Sequence, residues 1–110
     1  MPNRYRVLGQ LVPAATTLST LYTVPAANSA VISTINICNL QASANTTVRI
    51  AVRPAGAGIS NEHYIAYELP IPAADSVALT MGVTMAATDV MSVYSTSGNV
   101  AFNLFGSEVY

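Results

Sequence analysis

Apolar and polar residues alternate along most of this chain. In the segment from Thr46 to Arg53, every second residue is apolar and β-branched, while Arg49 falls on the opposite face. The same alternation recurs over residues 99–106, and residues 30–39 are rich in β-branched side chains. A period of two residues is typical of an extended strand with one buried face, whereas a helix repeats every 3.6 residues. The chain is therefore predicted to fold from β-strands.

Turn-forming residues divide the chain into about eight such runs. Pro, Gly, Asn and Asp cluster between the runs, and Ser97-Gly98-Asn99 in particular predicts a tight hairpin. The stretch 73–88, rich in alanine and methionine, is compatible with a strand or a short helix. The predicted strands are 4–12, 19–24, 30–39, 46–53, 62–69, 77–83, 90–95 and 99–106. Short strands at this spacing predict an all-β fold, a single antiparallel sandwich resembling a jelly roll.

One short motif is repeated at the ends of predicted strands. Pro25–Ser29 reads PAANS, Pro72–Ser76 reads PAADS, and Ala86–Asp89 is a looser copy. Asn and Asp side chains readily bond to nearby backbone and close turns. The repeat therefore favours one turn chemistry used at several corners of a sandwich over a duplicated binding loop.

The length of 110 residues corresponds to one domain. Residues 1–18, which include Arg4 and Arg6, are predicted to be a strand or an arm that reaches a neighbouring molecule, and residues 19–110 are predicted to form the sandwich. No run of about 18 apolar residues is present, so no transmembrane helix is expected. The apolar stretch near the N-terminus is short and interrupted by Gln10, so no signal peptide is expected.

The amino-acid composition favours a subunit of an assembly over a free monomer. Only 8% of residues are charged, the net charge is −1, and lysine is absent, whereas an ordinary soluble domain has about 25% charged residues. Ala, Thr, Ser and Asn together account for 46 of the 110 residues. A surface of such short neutral side chains loses little entropy when it is covered, which favours a homo-oligomer. The near-zero charge offers no attraction for nucleic acid or an anionic membrane.

No constellation of residues indicates catalysis, a metal site or a cofactor. His63 is the sole histidine, no Gly-x-Ser-x-Gly elbow is present, and the residue is expected to be a polar strand residue. Glu62 and His63 are adjacent, so on a strand they point to opposite faces and cannot chelate one ion. Cys38 lies in an apolar run and is expected to be a buried free thiol. The chain is therefore not expected to be an enzyme.

Six residues are candidates for a subunit interface. Arg49 and Arg53 share one strand face, where they would pair with carboxylates of a partner such as Glu62 or Glu68 of a neighbouring strand. An ordinary solvated sheet face explains the same two arginines equally well. The tyrosines of the predicted fifth strand and the arginines of the N-terminal segment complete the set. The candidates are Arg4, Arg6, Arg49, Arg53, Tyr64 and Tyr67.

Six segments spread over residues 19–108 together resemble a known family in their strand-and-turn pattern. They are Leu21–Ala26, Val31–Asn39, Arg49–Gly56, His63–Tyr67, Asp89–Tyr94 and Phe102–Glu108. The pattern is similar to that of small virion structural proteins of tailed bacteriophages. The resemblance implies a β-sandwich that serves in the particle, as a capsid decoration (cement) protein or in the tail or baseplate, and it implies no catalytic residues.

Of these roles, decoration of the capsid is preferred. The expected partners are the major capsid protein or other virion subunits, and the expected location is the virion, after synthesis in the host cytoplasm. A symmetric homo-oligomer is expected, with a trimer favoured because a shell with local three-fold axes offers matching sites. The alternatives are a tail or baseplate subunit with an adhesin-like sandwich, and a small carbohydrate-binding module for which Tyr64, Tyr67 and Glu68 are the candidate residues.

Overall fold

The computed structural model of the chain describes residues 3–109, apart from the side chain of Met81. Eight strands form two four-stranded antiparallel sheets, and no α-helix occurs in the described residues. The strands are β1 (Asn3–Leu11), β2 (Ser19–Thr23), β3 (Ser29–Asn39), β4 (Thr46–Arg53), β5 (Tyr64–Ile71), β6 (Ser76–Met85), β7 (Val90–Ser95) and β8 (Val100–Val109). The predicted all-β sandwich of about eight strands is confirmed. The uncertain stretch 73–88 contains strand β6 and no helix.

The strand order is that of a jelly roll. The first sheet runs β1-β8-β3-β6 and the second runs β2-β7-β4-β5. Between residues 3 and 109, β4 and β5 are the sole consecutive strands that pair with each other, and all other connections cross between the sheets. The tight hairpin predicted at Ser97-Gly98-Asn99 is therefore wrong, because β7 and β8 lie in different sheets. Turn residues mark where a strand ends, but they do not determine which strand becomes its neighbour.

Residues 1, 2 and 110 lie outside the described residues, so the predicted units 1–18 and 19–110 are described only from residue 3 to residue 109. Within that range, β1 is an edge strand that pairs with β8 from Asn3 to Leu11. The segment 12–18 then crosses to the second sheet, where β2 begins.

One apolar layer fills the space between the sheets. The alternation seen in the sequence turns the β-branched side chains of β3 and β4 inward, against those of β7 and β8. Complete burial of such a side chain contributes about 1.5–3 kcal/mol, and the stiff β-branched rotamers lose little further freedom in a strand. The largest fully buried side chains are those of Phe102, Ile32, Ile35, Ile37, Ile50, Ile71, Met91 and Leu104.

The repeated motif forms the same turn at each of its three positions, as the sequence predicted. In each turn the fourth residue donates its backbone N–H to the carbonyl of the first, and the third residue has a positive φ angle. The bonds are Asn28 N to Pro25 O (3.1 Å), Asp75 N to Pro72 O (3.3 Å) and Asp89 N to Ala86 O (3.1 Å). The motif is thus explained by corner geometry.

Two glycines allow the backbone to approach closely at strand irregularities. The register of β1 on β8 shifts beside Gly9, and a Cβ atom there would overlap the carbonyl of Leu21. A Cβ atom at Gly106 would overlap the carbonyl of Val31 and press on Ile32. Both positions thus exclude any larger residue, because the obstructing atoms belong to the backbone.

We expect Gly106→Ala to destabilise the protein by about 3 kcal/mol, the upper part of the range for overpacking. Gly82→Ala is the matched control, because Gly82 is also in a strand but has no atom within 4 Å of its added Cβ. That control should change the free energy of unfolding by less than about 0.5 kcal/mol. Urea unfolding of the two variants measures the difference. Equal losses in both would contradict the close approach at Gly106.

Candidate interaction surfaces

The six predicted interface residues lie in two separate places. Arg4 and Arg6 are on β1, an edge strand of the first sheet. The other four are on β4 and β5, at the opposite side of the strand order in the second sheet. They are Arg49, Arg53, Tyr64 and Tyr67. The sequence therefore identified parts of two surfaces rather than one site.

Arg49 is the centre of a cluster on the outer face of the second sheet. Its Nη2 donates to Oε1 of Glu68 at 2.6 Å. Its guanidinium carbon lies 4.4 Å from the ring centroids of both Tyr67 and Tyr94. The Tyr64 ring meets that of Tyr67 edge to face, with centroids 5.0 Å apart and planes at 79°. Contacts of a cation with aromatic faces are attractive, so the arginine binds the rings of β5 and β7 together.

A bulge in β5 brings Tyr67 and Glu68 into this cluster. Between the Val48–Leu69 and Ile50–Ala66 pairs, β5 has two residues, Tyr67 and Glu68, where β4 has only Arg49. Glu68 has a φ angle of 54°, a left-handed conformation that costs a non-glycine residue about 1–2 kcal/mol. Its Oε2 accepts a hydrogen bond from the Thr47 hydroxyl at 2.9 Å. The hydrogen bonds from Arg49 and then Thr47 lower the pKa of Glu68 below its usual value.

Glu68 was named from the sequence as a carboxylate partner for Arg49, and the structure supplies that contact within one molecule. Tyr64 and Tyr67 also lie with Asn61 around an open depression of about 480 Å³. Both oxygens of Glu68 are already engaged. Each Glu68 oxygen thus already accepts one hydrogen bond from within the molecule, while the side chain remains 40% exposed.

Arg53 extends the same strand face toward the loop between β4 and β5. Its Nε donates to Oγ of Ser92 at 3.1 Å, and its Nη1 donates to the carbonyl of Ala57 at 3.1 Å. These bonds attach the loop to the sheet. The guanidinium group of Arg53 is thus held by hydrogen bonds within the molecule.

A buried carboxylate lies where β1, β2 and β8 meet. The side chain of Glu108 is 4% exposed, and its Oε1 lies 2.8 Å from Nη2 of Arg6, whose side chain is 43% exposed. Its Oε2 accepts a hydrogen bond from the Tyr22 hydroxyl at 2.5 Å. A buried charge is tolerated when it is paired and hydrogen-bonded. Burial, and then the bond to Glu108, raise the pKa of Tyr22 above its usual value.

Neither Glu108 nor Tyr22 is among the residues predicted from the sequence to form a site. Tyr22 and Glu108 are 86 positions apart, and only the jelly-roll order brings β2 against the end of β8. Glu108 alone gave a signal, because it keeps the inward parity of the buried residues Val100, Phe102 and Leu104 on β8. The register of β2 shifts between Thr20 and Tyr22, so alternation does not place Tyr22.

The other acidic residues are also engaged locally. The carboxylates of Glu62, Asp75 and Asp89 accept hydrogen bonds from a serine hydroxyl or from backbone N–H groups of nearby turns. Arg4 likewise has an interaction partner. Each charged side chain in residues 3–109 is thus engaged within the molecule.

The residues considered for chemistry occupy ordinary structural positions. His63 ends a single 3₁₀ turn, not a strand interior, and its Nδ1 accepts the backbone N–H of Ser60 at 3.1 Å. Cys38 is half-buried rather than fully buried, because Ile37 and Asn39 take the inward positions on β3. No three potential metal ligands come together anywhere in the described residues. The same part of the chain contains no helix of the length and apolarity needed to cross a membrane.

No protein-family model matches the chain, and no curated protein matches it. Among solved structures, the chain is similar to one in the "Acidic stable capsid structure of Helicobacter pylori bacteriophage KHP30". The two are 12% identical, the alignment covers 99% of this chain and 94% of the other, and the TM-score is 0.46. At this identity and TM-score, the similarity carries no conclusion about function.

We expect Arg6→Met to lower the free energy of unfolding by about 3 kcal/mol, because it leaves the carboxylate of Glu108 buried without its cation. The double variant Arg6→Met/Glu108→Gln should lose less, because a neutral amide replaces the unpaired charge. Urea unfolding of both variants tests this. A loss below about 0.5 kcal/mol in the single variant, the usual effect of a surface change, would contradict the network.

The raised pKa of Tyr22 predicts a loss of stability in alkali. Above the ordinary tyrosine pKa of 10.0, the unfolded chain ionises at this phenol while the folded protein keeps it neutral. Stability should therefore fall by about 1.4 kcal/mol per pH unit from this group. Tyr22→Phe should remove that part of the slope between about pH 9 and pH 11 when unfolding is followed by urea titration. Identical slopes in the two proteins would contradict the prediction.

Proposed function

We propose that the chain is a non-enzymatic structural component of a tailed-phage virion, and specifically a capsid decoration protein that binds the outside of the shell as a symmetric oligomer. The observation that carries the proposal is the engagement of each charged side chain within its own molecule, in residues 3–109. Because only nine of the 110 residues are charged, most of the surface available for contact with other molecules is neutral.

A neutral surface of short side chains is suited to permanent burial between subunits. Ala, Ser and Thr lose little rotamer freedom when covered, unlike Lys and Glu. Only nine of the 110 residues are charged, so few charges would have to be removed from water and the desolvation cost stays low. The same surface is poorly suited to a concentrated free monomer, which is normally kept soluble by charge.

The fold supports this proposal without deciding it. Two four-stranded sheets in jelly-roll order form an architecture found in viral capsid and lectin domains. Because one fold serves many functions, the functions have to be distinguished by the properties of the surface. The strand-and-turn pattern over residues 19–108, which resembles that of phage virion proteins, favours a structural role in a phage particle.

The proposed mechanism is the addition of buried contacts between neighbouring shell subunits. A protein that binds only the assembled shell stabilises it by mass action, and so resists the pressure of the packaged genome. A trimer is proposed, because it would match the local three-fold axes of a shell. The partner would be the major capsid protein.

The N-terminal segment is proposed to contribute to these contacts. Since β1 pairs with β8 and Arg6 reaches Glu108, the segment would meet a neighbour through its outward side chains. Tyr5, which is 80% exposed, is the largest of them.

A tail or baseplate subunit is the alternative to capsid decoration. The neutral surface suits subunit contacts in either part of the particle. Location on the particle therefore separates the two roles.

Cryo-electron microscopy of purified virions, with gold-labelled antibody against the chain, tests the proposal. We expect label on the heads and jelly-roll density on the outside of the shell. Particles assembled without the chain should release their genome at a lower temperature, and added chain should restore the wild-type value. Label confined to tails would support the alternative role, and absence from purified virions would contradict both.

A further inference from the structure

The outer face of the first sheet has no charged side chain among its described residues. The four strands of this sheet contain three charged residues, Arg4, Arg6 and Glu108. Glu108 is buried and the guanidinium group of Arg6 turns toward it, and the alternation along β1 places Arg4 on the same inner side. The outward positions hold small polar, aliphatic and aromatic residues only.

Exposed apolar side chains form a cluster on this face. Val7 of β1 lies opposite Phe105 of β8, and Tyr5 lies opposite Ser107, whose other neighbour is Val31 of β3. These residues border a shallow groove of about 640 Å³. Arg6 also borders the groove, but its guanidinium group is paired with Glu108. Single exposed apolar residues are ordinary, but contiguous ones mark an interaction surface. We call the cluster of exposed Tyr5, Val7, Val31 and Phe105 the β1–β8–β3 patch.

The outer face of the second sheet differs in kind. It contains the Arg49–Glu68 ion pair and Arg53. A contact between two copies of that face would require these charges to be removed from water. Two copies of the uncharged first face would meet without electrostatic repulsion.

We propose that the β1–β8–β3 patch and the sheet face around it are covered by a second copy of this chain. The proposal deepens the proposed function, because it names the surface through which the oligomer forms. A neutral face is electrostatically compatible with itself, as a two-fold contact between identical subunits requires. Sheets stack face to face at a spacing of about 10 Å with interdigitating side chains.

The area of the face is sufficient for such a contact. Four strands about 4.8 Å apart and roughly 33 Å long give a flat area of about 600 Å² per copy. Two copies would then bury about 1,200 Å² in total, the lower limit for specific, stable interfaces. A face-to-face contact between identical faces has two-fold symmetry, so it joins the copies in pairs.

The test is the mass of the purified chain in solution, measured by light scattering across a dilution series. The wild-type chain should have a multiple of 11.5 kDa. Phe105→Glu places a charge in the centre of the patch and should weaken association at least about 100-fold, as loss of a central contact does. Tyr5→Ala should weaken it about 10-fold; because Tyr5 is so exposed, this second variant tests the patch even where a buried charge impairs folding.

Ile59→Glu is the matched control. Ile59 is 41% exposed and Phe105 is 37% exposed, but Ile59 lies in the loop between β4 and β5. The same charge placed there should leave the mass unchanged. Urea unfolding of all variants verifies that each one is folded.

Two results would overturn the proposal. One is a wild-type chain that stays monomeric up to about 1 mM, where even a weak complex is half formed. The other is an oligomer unaffected by both Phe105→Glu and Tyr5→Ala. Failure of the proposed function is separate: a chain that associates through this patch but is absent from virions refutes the virion role alone. A monomer that still decorates heads refutes the self-association and the oligomeric state in the proposed function, but not the virion role.

Discussion

The apolar layer between the two sheets is the interaction on which the other features of the molecule depend. Because strand side chains alternate, filling that layer with Ile, Val, Leu and Phe assigns every intervening residue to an outer face. In a chain with 8% charged residues, the outer faces are then necessarily neutral over large areas. The neutral surface is thus a direct consequence of how the core is made.

The few charges that remain stabilise the edges of the sandwich. At one edge, Arg6 and Tyr22 hold the carboxylate of Glu108, and so connect β1 and β8 to β2 of the facing sheet. At the opposite edge, Arg49 holds Glu68 of the bulged strand β5. Edge strands have unpaired backbone groups and the fewest neighbours. Ion pairs placed there strengthen the parts of the fold that the apolar layer secures least.

Sequence periodicity was sufficient to predict the strands, but not to predict which strands pair with each other. Strands β4 and β7 begin and end at the predicted residues, 46–53 and 90–95, because alternation and turn chemistry are local properties. The hairpin at residues 97–99 failed because sheet membership depends on the whole chain. The Glu108 network could not be predicted for the same reason, since its members meet only after β1, β2 and β8 are in place. The Arg49 cluster lies between these cases: its strand face was predictable, but the bulge that turns Glu68 toward it was not.

The stability of this chain and its proposed role in an assembly are therefore linked. A domain of this size buries a modest fraction of its surface and has a small margin of stability. Charges added to the neutral face would make a free monomer more soluble, but they would have to be desolvated on association. The same face, left neutral, is a liability for a free monomer and an advantage for a permanently associated subunit. When association covers this face, binding adds directly to folding stability. A chain of this composition therefore gains most stability as a permanent subunit of an assembly.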